Sequence, residues 1–330
     1  MEFKQSLDRI RRLPTSIVIA AALLTVWLAQ GSTFVALKVG VAAVPPFLLS
    51  GARFMVVGLT LLIWSAWRAQ WHLTITRREA VLASATGAGF FFAGQGSATW
   101  ASQFLPAGIV AVLNSTMPLW AVLLSRLALR TPLRITALSG IVASFVGVTF
   151  LAWPGANSGI TPAPAVAVVV GSACWAGSAV VVNRTGIGRR PVLITGLQTF
   201  VGGALQLMAA VVTGELAHIA PQAVVTAVPA FIYLIIVSSL VGFPVLTWLL
   251  SQARLEIANT AAFVAPAIAL GLGALPLREQ ITPRMLAGVA VILVGVVLIV
   301  LSGGRKRSKT AASEHHAIKT LEVGRRGVYG

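Results

Sequence analysis

A few polar side chains interrupt long apolar stretches of the sequence, and their types could support ligand binding. Arg53 places a permanently charged guanidinium in the apolar run PPFLLSGARFMVVGLTLLIW, which extends from Pro45 to Trp64. A polar group in an apolar medium needs a partner, so such residues should face the interior of a helix bundle. The other candidates for a binding path are amides, a hydroxyl and two indoles: Gln95, Thr99, Trp100, Asn114, Gln198, Trp248 and Asn259.

Each candidate also has a structural explanation. A Thr hydroxyl often bonds the backbone of its own helix. Trp100 and Trp248 lie near helix ends, where indoles anchor a helix at the membrane interface. Arg53 could attract a substrate carboxylate, or it could bond helix ends around an outer vestibule. The amides are costlier to bury than a hydroxyl, and they are therefore the better candidates for a cavity wall: Gln95, Asn114 and Gln198.

The composition places these residues in a membrane. Of the 330 residues, 57% are hydrophobic and only 10% are charged, with a mean hydropathy of +0.89. Soluble domains usually carry about 25% charged residues. The net charge of +17 would indicate a nucleic-acid partner in a soluble protein. In a membrane protein it reflects Lys and Arg in cytoplasmic loops, so we predict a lipid bilayer and no nucleic acid as partner.

The apolar segments predict an all-α integral membrane protein with ten transmembrane helices. A crossing of about 30 Å of hydrocarbon takes roughly 20 apolar residues. We predict crossings at 15–37, 46–67, 79–100, 106–126, 134–153, 163–183, 191–213, 226–250, 257–277 and 283–302. A cytoplasmic N-terminus puts 21 of the 25 Lys and Arg residues on the cytoplasmic side. Both termini are therefore predicted to be cytoplasmic, as an arm (1–14) and a basic, disordered tail (303–330).

The chain contains an internal repeat. In the second span of each half the offset is 145, and there Arg53 meets Gln198. Elsewhere the offset is 148, with matches that include Gly94 with Gly242, Trp100 with Trp248 and Pro118 with Pro266. Each half (15–153 and 154–302) holds five spans, an odd number, so the second must enter the membrane from the opposite side. Inverted repeats are typical of secondary transporters, whose sites lie between the repeats near the midplane.

Two prolines and the missing carboxylates bear on mechanism. Pro118 and Pro266 each remove a backbone hydrogen bond and should kink a helix, as hinges for alternating access or as determinants of cavity shape. No Asp, Glu or His falls deep within a predicted span, so we expect no coupling through a buried carboxylate. The adjacent His315 and His316 lack further ligands, and we predict neither a metal site nor a cofactor.

Three stretches of the sequence carry a family pattern: VWLAQGSTFVALKVGVAAVPPFLLSGARF, LPAGIVAVLNSTMPLWAVLLSRL and LEIANTAAFVAPAIALGLGALPLREQITPRMLAGVAVILVGVVLIVL. They resemble the ten-helix EamA-type branch of the drug/metabolite transporter superfamily, and within it the YedA-like inner-membrane exporters. The resemblance covers roughly residues 15–302. The family's substrate range is not carried over, because three dipeptides depart from its pattern: Gln30-Gly31, Arg130-Thr131 and Arg278-Glu279.

The resemblance implies a basket in which helices one to four and six to nine surround a central cavity. Helices five and ten would stand outside and could form a homodimer contact. It also implies export of small metabolites, such as amino acids or amphiphilic compounds, across the cell inner membrane. A channel or a non-transport scaffold is the alternative. An enzyme is not predicted, because no metal cluster, carboxylate pair or activated nucleophile is visible in the spans.

Overall fold

The computed structural model describes residues 15–68, 75–129, 135–152, 162–187, 190–218, 221–252, 261–274 and 282–298. These ranges are helical and contain no strand. The helices are α1 (Thr15–Ala43), α2 (Pro46–Arg68), α3 (Arg77–Gly87, Ala88–Gln95 and Gly96–Ala101), α4 (Ala107–Asn114 and Met117–Leu129), α5 (Ile135–Ala152), α6 (Pro162–Thr185), α7 (Pro191–Val212), α8 (Pro221–Tyr233, Leu234–Gly242 and Phe243–Gln252), α9 (Ala261–Ala274) and α10 (Pro283–Leu298).

Six helical stretches are long and apolar enough to cross a membrane: Ile17–Ala43, Pro46–Arg68, Ala107–Leu127, Pro162–Thr185, Pro191–Val212 and Val224–Leu246. Shorter apolar helices lie within α5, α9 and α10. The all-helical prediction is confirmed for the described residues. The count of ten spans stays a prediction. The N-terminal arm and the basic tail lie outside the described residues.

Two helices contain a π-helical segment, in which the backbone hydrogen bonds span five residues instead of four. The first π segment is Ala88–Gln95 in α3, and the second is Leu234–Gly242 in α8. Shifted by the repeat offset of 148, the first segment overlaps the second. Pro244, just after the second segment, has no N–H to donate to the carbonyl four residues earlier, which favours a local departure from α-helix. Such segments are frequent at functional sites.

Helices α2 and α7 cross so closely that only glycine fits at the crossing. A Cβ atom on Gly58 would lie 2.6 Å from the backbone nitrogen of Phe200. One on Gly203 would lie 2.7 Å from the backbone nitrogen of Met55. Gly58 and Gly203 are equivalent at the offset of 145, and so are Met55 and Phe200. The two contacts are therefore reciprocal.

A second pair of reciprocal glycine contacts joins α5 to α10. A Cβ on Gly147 would lie 3.0 Å from the carbonyl oxygen of Gly288, and one on Gly295 would lie 2.6 Å from that of Gly140. Ser139, Ala143 and Gly147 are small residues spaced four apart on α5, which is the spacing typical of close helix packing. The intrachain contact accounts for Gly147 without a second subunit. A homodimer through α5 and α10 stays a prediction.

Candidate functional site

Arg53 is held by the second π segment. Its side chain is 1% exposed. The Nε atom donates to Ser239 Oγ at 3.1 Å, and Nη2 donates to Ser238 Oγ at 2.7 Å and to Ser239 Oγ at 2.9 Å. The guanidinium therefore bonds side chains in the middle of α8, and not the helix ends that the structural explanation proposed. Ser238 and Ser239 lie in the predicted span 226–250. The sequence alone does not indicate that they bind Arg53, because this contact depends on the packing of α2 against α8.

An aromatic cluster surrounds this contact and joins four helices. The Arg53 guanidinium lies 4.7 Å from the ring centre of Phe54 on α2, within the range of a cation–π interaction. Phe54 lies 5.0 Å from Phe91 in the first π segment, and Phe91 lies 5.8 Å from Trp175 on α6. Trp175 stacks on Phe243, which follows the second π segment, at 6.4 Å. Trp175 matches Trp27 in the repeat at the offset of 148, but the sequence analysis did not predict this cluster.

The repeat equivalent of Arg53 makes a corresponding contact with the other π-bearing helix. Gln198 on α7 donates from Nε2 to Thr86 Oγ1 on α3 at 2.9 Å. About two helical turns further along α7, Gln206 donates from Nε2 to the Phe91 carbonyl oxygen at 2.6 Å. Arg53 thus ties α2 to α8, and the two glutamines tie α7 to α3. Gln206 is fully buried and was absent from the predicted set.

Three predicted residues of α3 lie in different settings. Thr99 is buried, and its hydroxyl donates to the Gln95 carbonyl oxygen on its own helix at 2.8 Å. Gln95 is half-buried at the end of the first π segment. Trp100 lies 5.2 Å from Phe104 and lines a groove of about 600 Å³ between α3 and α6. The Thr99 hydroxyl therefore bonds the backbone of its own helix, as its structural explanation predicts.

The repeat counterpart of Trp100 is more exposed. Trp248, in the last part of α8, is 40% exposed. Asn259 lies outside the described residues.

Asn114 on α4 is bonded to α6. Ser172 on α6 donates to Asn114 Oδ1 at 3.3 Å.

The helices around the two prolines differ between the halves. Immediately after Asn114 a two-residue turn interrupts α4, and the helix resumes at Met117, next to Pro118. Pro266 instead lies inside α9, which is continuous from Ala261 to Ala274. The roles of Pro118 and Pro266 as hinges stay predictions.

Four buried polar atoms on α2 and α7 have no hydrogen-bond partner within the described structure: Ser50 Oγ, Arg53 Nη1, Ser65 Oγ and Gln206 Oε1. A buried polar group left without a partner costs about 1–3 kcal/mol. Arg53 follows the start of α2 by seven residues, which is about 10 Å at 1.5 Å per residue. Gln206 precedes the end of α7 by six residues, or about 9 Å. Arg53 Nη1 can donate a hydrogen bond to a ligand, Gln206 Oε1 can accept one, and Ser50 Oγ can do either.

The N-terminal end of α2 is also fixed by a carboxylate. The backbone nitrogens of Leu48 and Phe47 donate to the two carboxylate oxygens of Glu215, at 2.9 and 3.4 Å. Glu215 follows α7, so the α7 end caps the α2 start, where a negative charge is favourable. Glu79 plays a local role at the start of α3, where it forms a capping box with Thr76. Glu256 and Glu279 lie outside the described residues.

The fold and its apolar helices define a multi-pass membrane protein. The EamA-like transporter family matches the chain twice, over residues 16–153 and 163–301. The chain belongs to this family, and the resemblance drawn from the sequence is confirmed. The family is one of transporters, which agrees with the prediction that the chain is not an enzyme.

Similar proteins carry transporter names. The "Uncharacterized inner membrane transporter YedA" of Escherichia coli K12 is 29% identical over 288 residues, covering 85% of this chain and 90% of that protein. The "Uncharacterized transporter YoaV" of Bacillus subtilis 168 is 26% identical over 293 residues, covering 86% and 97%. A "Probable terminal-alkyne amino-acid exporter" of Streptantibioticus cattleyicolor is 27% identical over 277 residues, covering 81% and 88%.

One solved crystal structure shares the fold. It superimposes with a TM-score of 0.56 at 19% identity, over 86% of this chain and 97% of that chain. At this identity the likeness concerns the fold alone.

Proposed function

We propose that this chain is a secondary transporter that moves small metabolites across the cell inner membrane by alternating access, as an exporter. Amino acids and amphiphilic drug-like compounds are its substrate classes. The observation that carries the proposal is the reciprocal α2–α7 crossing in a member of a transporter family. Gly58 contacts Phe200 as Gly203 contacts Met55, and these residues are equivalent in the repeat.

Reciprocal contacts between equivalent residues are typical of a twofold relation between two units. Two halves related in this way, each with an odd number of spans, form an inverted repeat. Transporters built from inverted repeats expose the site to either side as one half moves against the other. The ten-span basket with halves 15–153 and 154–302 is the architecture that we propose for this chain.

The polar ties between the helices support a path at the interface of the halves. Arg53 of the first half bonds α8 of the second, and Gln198 and Gln206 of the second half bond α3 of the first. Both contact helices contain a π segment, where the backbone already departs from regular geometry. We include the other predicted residues in the path as well: Gln95, Thr99, Trp100, Asn114, Trp248 and Asn259.

Orientation, direction and assembly rest on separate arguments. The basic residues favour cytoplasmic termini, because 21 of 25 Lys and Arg then lie inside. Export and an amino-acid substrate are supported by the name of the Streptantibioticus relative. The location in an inner membrane is supported by the name of the Escherichia relative. A homodimer through α5 and α10 is part of the proposal.

Counterflow in proteoliposomes tests transport. Purified protein should exchange external labelled amino acids for internal unlabelled ones with a saturable rate, because a carrier must bind its substrate on each side. The panel comprises the twenty standard L-amino acids and a set of amphiphilic cations and acids. Protein-free liposomes and heat-unfolded protein are the controls.

The result also separates the alternatives. Flux that rises linearly with concentration and shows no counterflow would replace the carrier with a channel. The absence of any protein-dependent flux across this panel would contradict the proposed function.

A further inference from the structure

We propose that the guanidinium of Arg53 binds the carboxylate of the transported compound, which displaces Ser238 and Ser239 from it. The compound has the chemistry of an amino acid, with a carboxylate and a hydrogen-bond donor such as an ammonium group. This inference rests on the proposed function and specifies its substrate class. Without substrate, the same guanidinium acts as a latch between α2 and α8.

The first argument is the charge balance of Arg53. The guanidinium is buried, and the described residues give it two neutral hydroxyls and one aromatic face but no carboxylate. An uncompensated ion in a protein interior costs several kcal/mol. A carboxylate offers charge compensation and two acceptor oxygens in the planar fork geometry that suits Arg. A ligand with this group therefore gains more at Arg53 than a neutral analogue does.

The second argument is the free hydrogen-bonding capacity beside the guanidinium. Arg53 Nη1 is buried and has no partner among the described residues. Ser50 lies one helical turn earlier, on the same face of α2, and its buried hydroxyl has no partner either. A carboxylate that meets both groups would accept a bond from the guanidinium and one from the hydroxyl.

The third argument is a hydrogen-bond acceptor on α7, which complements the donor on Arg53. Gln206 Oε1 is buried without a partner in the described structure, whereas its Nε2 is fixed by the Phe91 carbonyl. The Phe91 ring in turn lies 5.0 Å from the ring of Phe54, next to Arg53. Helices α2 and α7 touch at this level, since a Cβ on Gly51 would lie 2.9 Å from the Leu207 nitrogen. Gln206 therefore supplies an acceptor for an ammonium group.

The displacement of the serines links binding to movement. A ligand shifts a conformational equilibrium only if it binds one state better than the other. While the serines hold the guanidinium, the second π segment is tied to α2. A carboxylate that takes over the guanidinium releases α8 from that tie. Substrate binding then favours the state in which the two halves separate at this level.

The experiment compares each acid with its own amide. L-Leucine, L-phenylalanine and L-threonine are each tested beside the corresponding carboxamide, which keeps the ammonium group and removes the charge of the carboxylate. Binding is read as the concentration that raises the unfolding temperature in detergent, and transport is read as counterflow. The proteins are wild type, Arg53→Gln, Arg53→Lys, Ser238→Ala/Ser239→Ala and Arg68→Gln. Arg68 is the matched control, an exposed arginine at the other end of α2.

We expect the wild type and Arg68→Gln to bind at least one acid about tenfold more tightly than its amide, which corresponds to about 1.4 kcal/mol. Arg53→Gln should lose that preference, and Arg53→Lys should keep part of it. The double serine variant should bind the acid more tightly than the wild type, because the hydroxyls that compete for the guanidinium are gone. A purely structural brace would not produce this gain.

Equal binding of acids and amides by the wild type would overturn the inference, as would an unchanged preference in Arg53→Gln. If Arg53→Gln fails to fold, the double serine variant decides, and an acid affinity no greater than that of the wild type overturns it. None of these results would contradict the proposal that the protein is a transporter. Absence of binding and counterflow for all six compounds would overturn the inference, and the broader panel would then show whether the proposed function fails as well.

Discussion

Alanine in place of Gly58 or Gly203 should strongly reduce the yield of folded protein. Each new Cβ would lie 2.6 to 2.7 Å from a backbone nitrogen of the facing helix, and a backbone cannot turn aside as a flexible side chain can. Helices α2 and α7 would have to separate, which disturbs the close contact between the halves. Overpacking typically costs about 1–3 kcal/mol, and sometimes more. The measurement is the monodisperse yield and the unfolding temperature in detergent.

The control for this prediction is Gly271 on α9, where an added Cβ would meet no atom of the described residues within 4 Å. Gly271→Ala should leave the yield and the unfolding temperature unchanged. Because Gly58 and Gly203 are equivalent in the repeat, their two alanine variants should suffer comparable losses. Normal yield and stability for both variants would show that the crossing is looser than described.

Removal of both serine hydroxyls should destabilise the protein, because the charged guanidinium of Arg53 stays buried without these partners. In Ser238→Ala/Ser239→Ala the buried Arg53 loses all three of its described hydrogen bonds. Hydrogen bonds to a charged group typically contribute about 1.5–3 kcal/mol each, and a buried charge left without partners costs more than a neutral group does. Addition of Arg53→Met to that variant should restore most of the stability, since an apolar side chain in place of a buried ion is often neutral or stabilising.

The unfolding temperature and the counterflow activity should respond differently to these substitutions. The triple variant should unfold near the wild-type temperature and show no counterflow, because the group that binds the carboxylate is absent. The double variant should be less stable, and a transported acid should raise its unfolding temperature, since a ligand that binds only the folded state stabilises it. A triple variant that is less stable than the double variant would contradict the charge argument.

The sequence indicated a large part of the fold for physical reasons that act locally. Long apolar stretches with few charges predict helices in a bilayer, and helices occupy these stretches in the described structure. The repeat matches Gly58 with Gly203, and the two glycines make equivalent contacts in the structure. The π segments could not be predicted in the same way, because the choice between four- and five-residue hydrogen bonds depends on small differences in packing.

The candidate site was harder to predict, because the direction of a side chain depends on contacts between distant parts of the chain. Arg53 stood out by its charge, but Ser238 and Ser239 became its partners only through the packing of α8 on α2. From the sequence alone, Lys38 looks like a solvated flanking residue. In the structure it is half-buried, and its Nζ donates to the Leu105 carbonyl oxygen at 3.0 Å. That contact joins residues 67 apart in the sequence.

The two prolines show a further limit of the repeat. The repeat predicted equal kinks at Pro118 and Pro266, and only α4 is interrupted beside its proline. A missing backbone hydrogen bond permits a break, but the neighbouring contacts decide whether the helix uses it. In α4 the hydroxyls of Ser115 and Thr116 bond the Val112 and Leu113 carbonyls, which satisfies backbone groups at the turn.

The central claim is that the buried groups at the interface of the halves become accessible from each side of the membrane in turn. Ser50 suits this test, because it is fully buried next to Arg53 and cysteine has nearly its size. Ser50→Cys, in a chain whose single cysteine is removed by Cys174→Ala, is labelled with a membrane-impermeant maleimide in intact cells and in inside-out vesicles. We expect labelling in both preparations, with rates that a transported acid changes in opposite directions. Labelling from one side only, with and without substrate, would contradict alternating access.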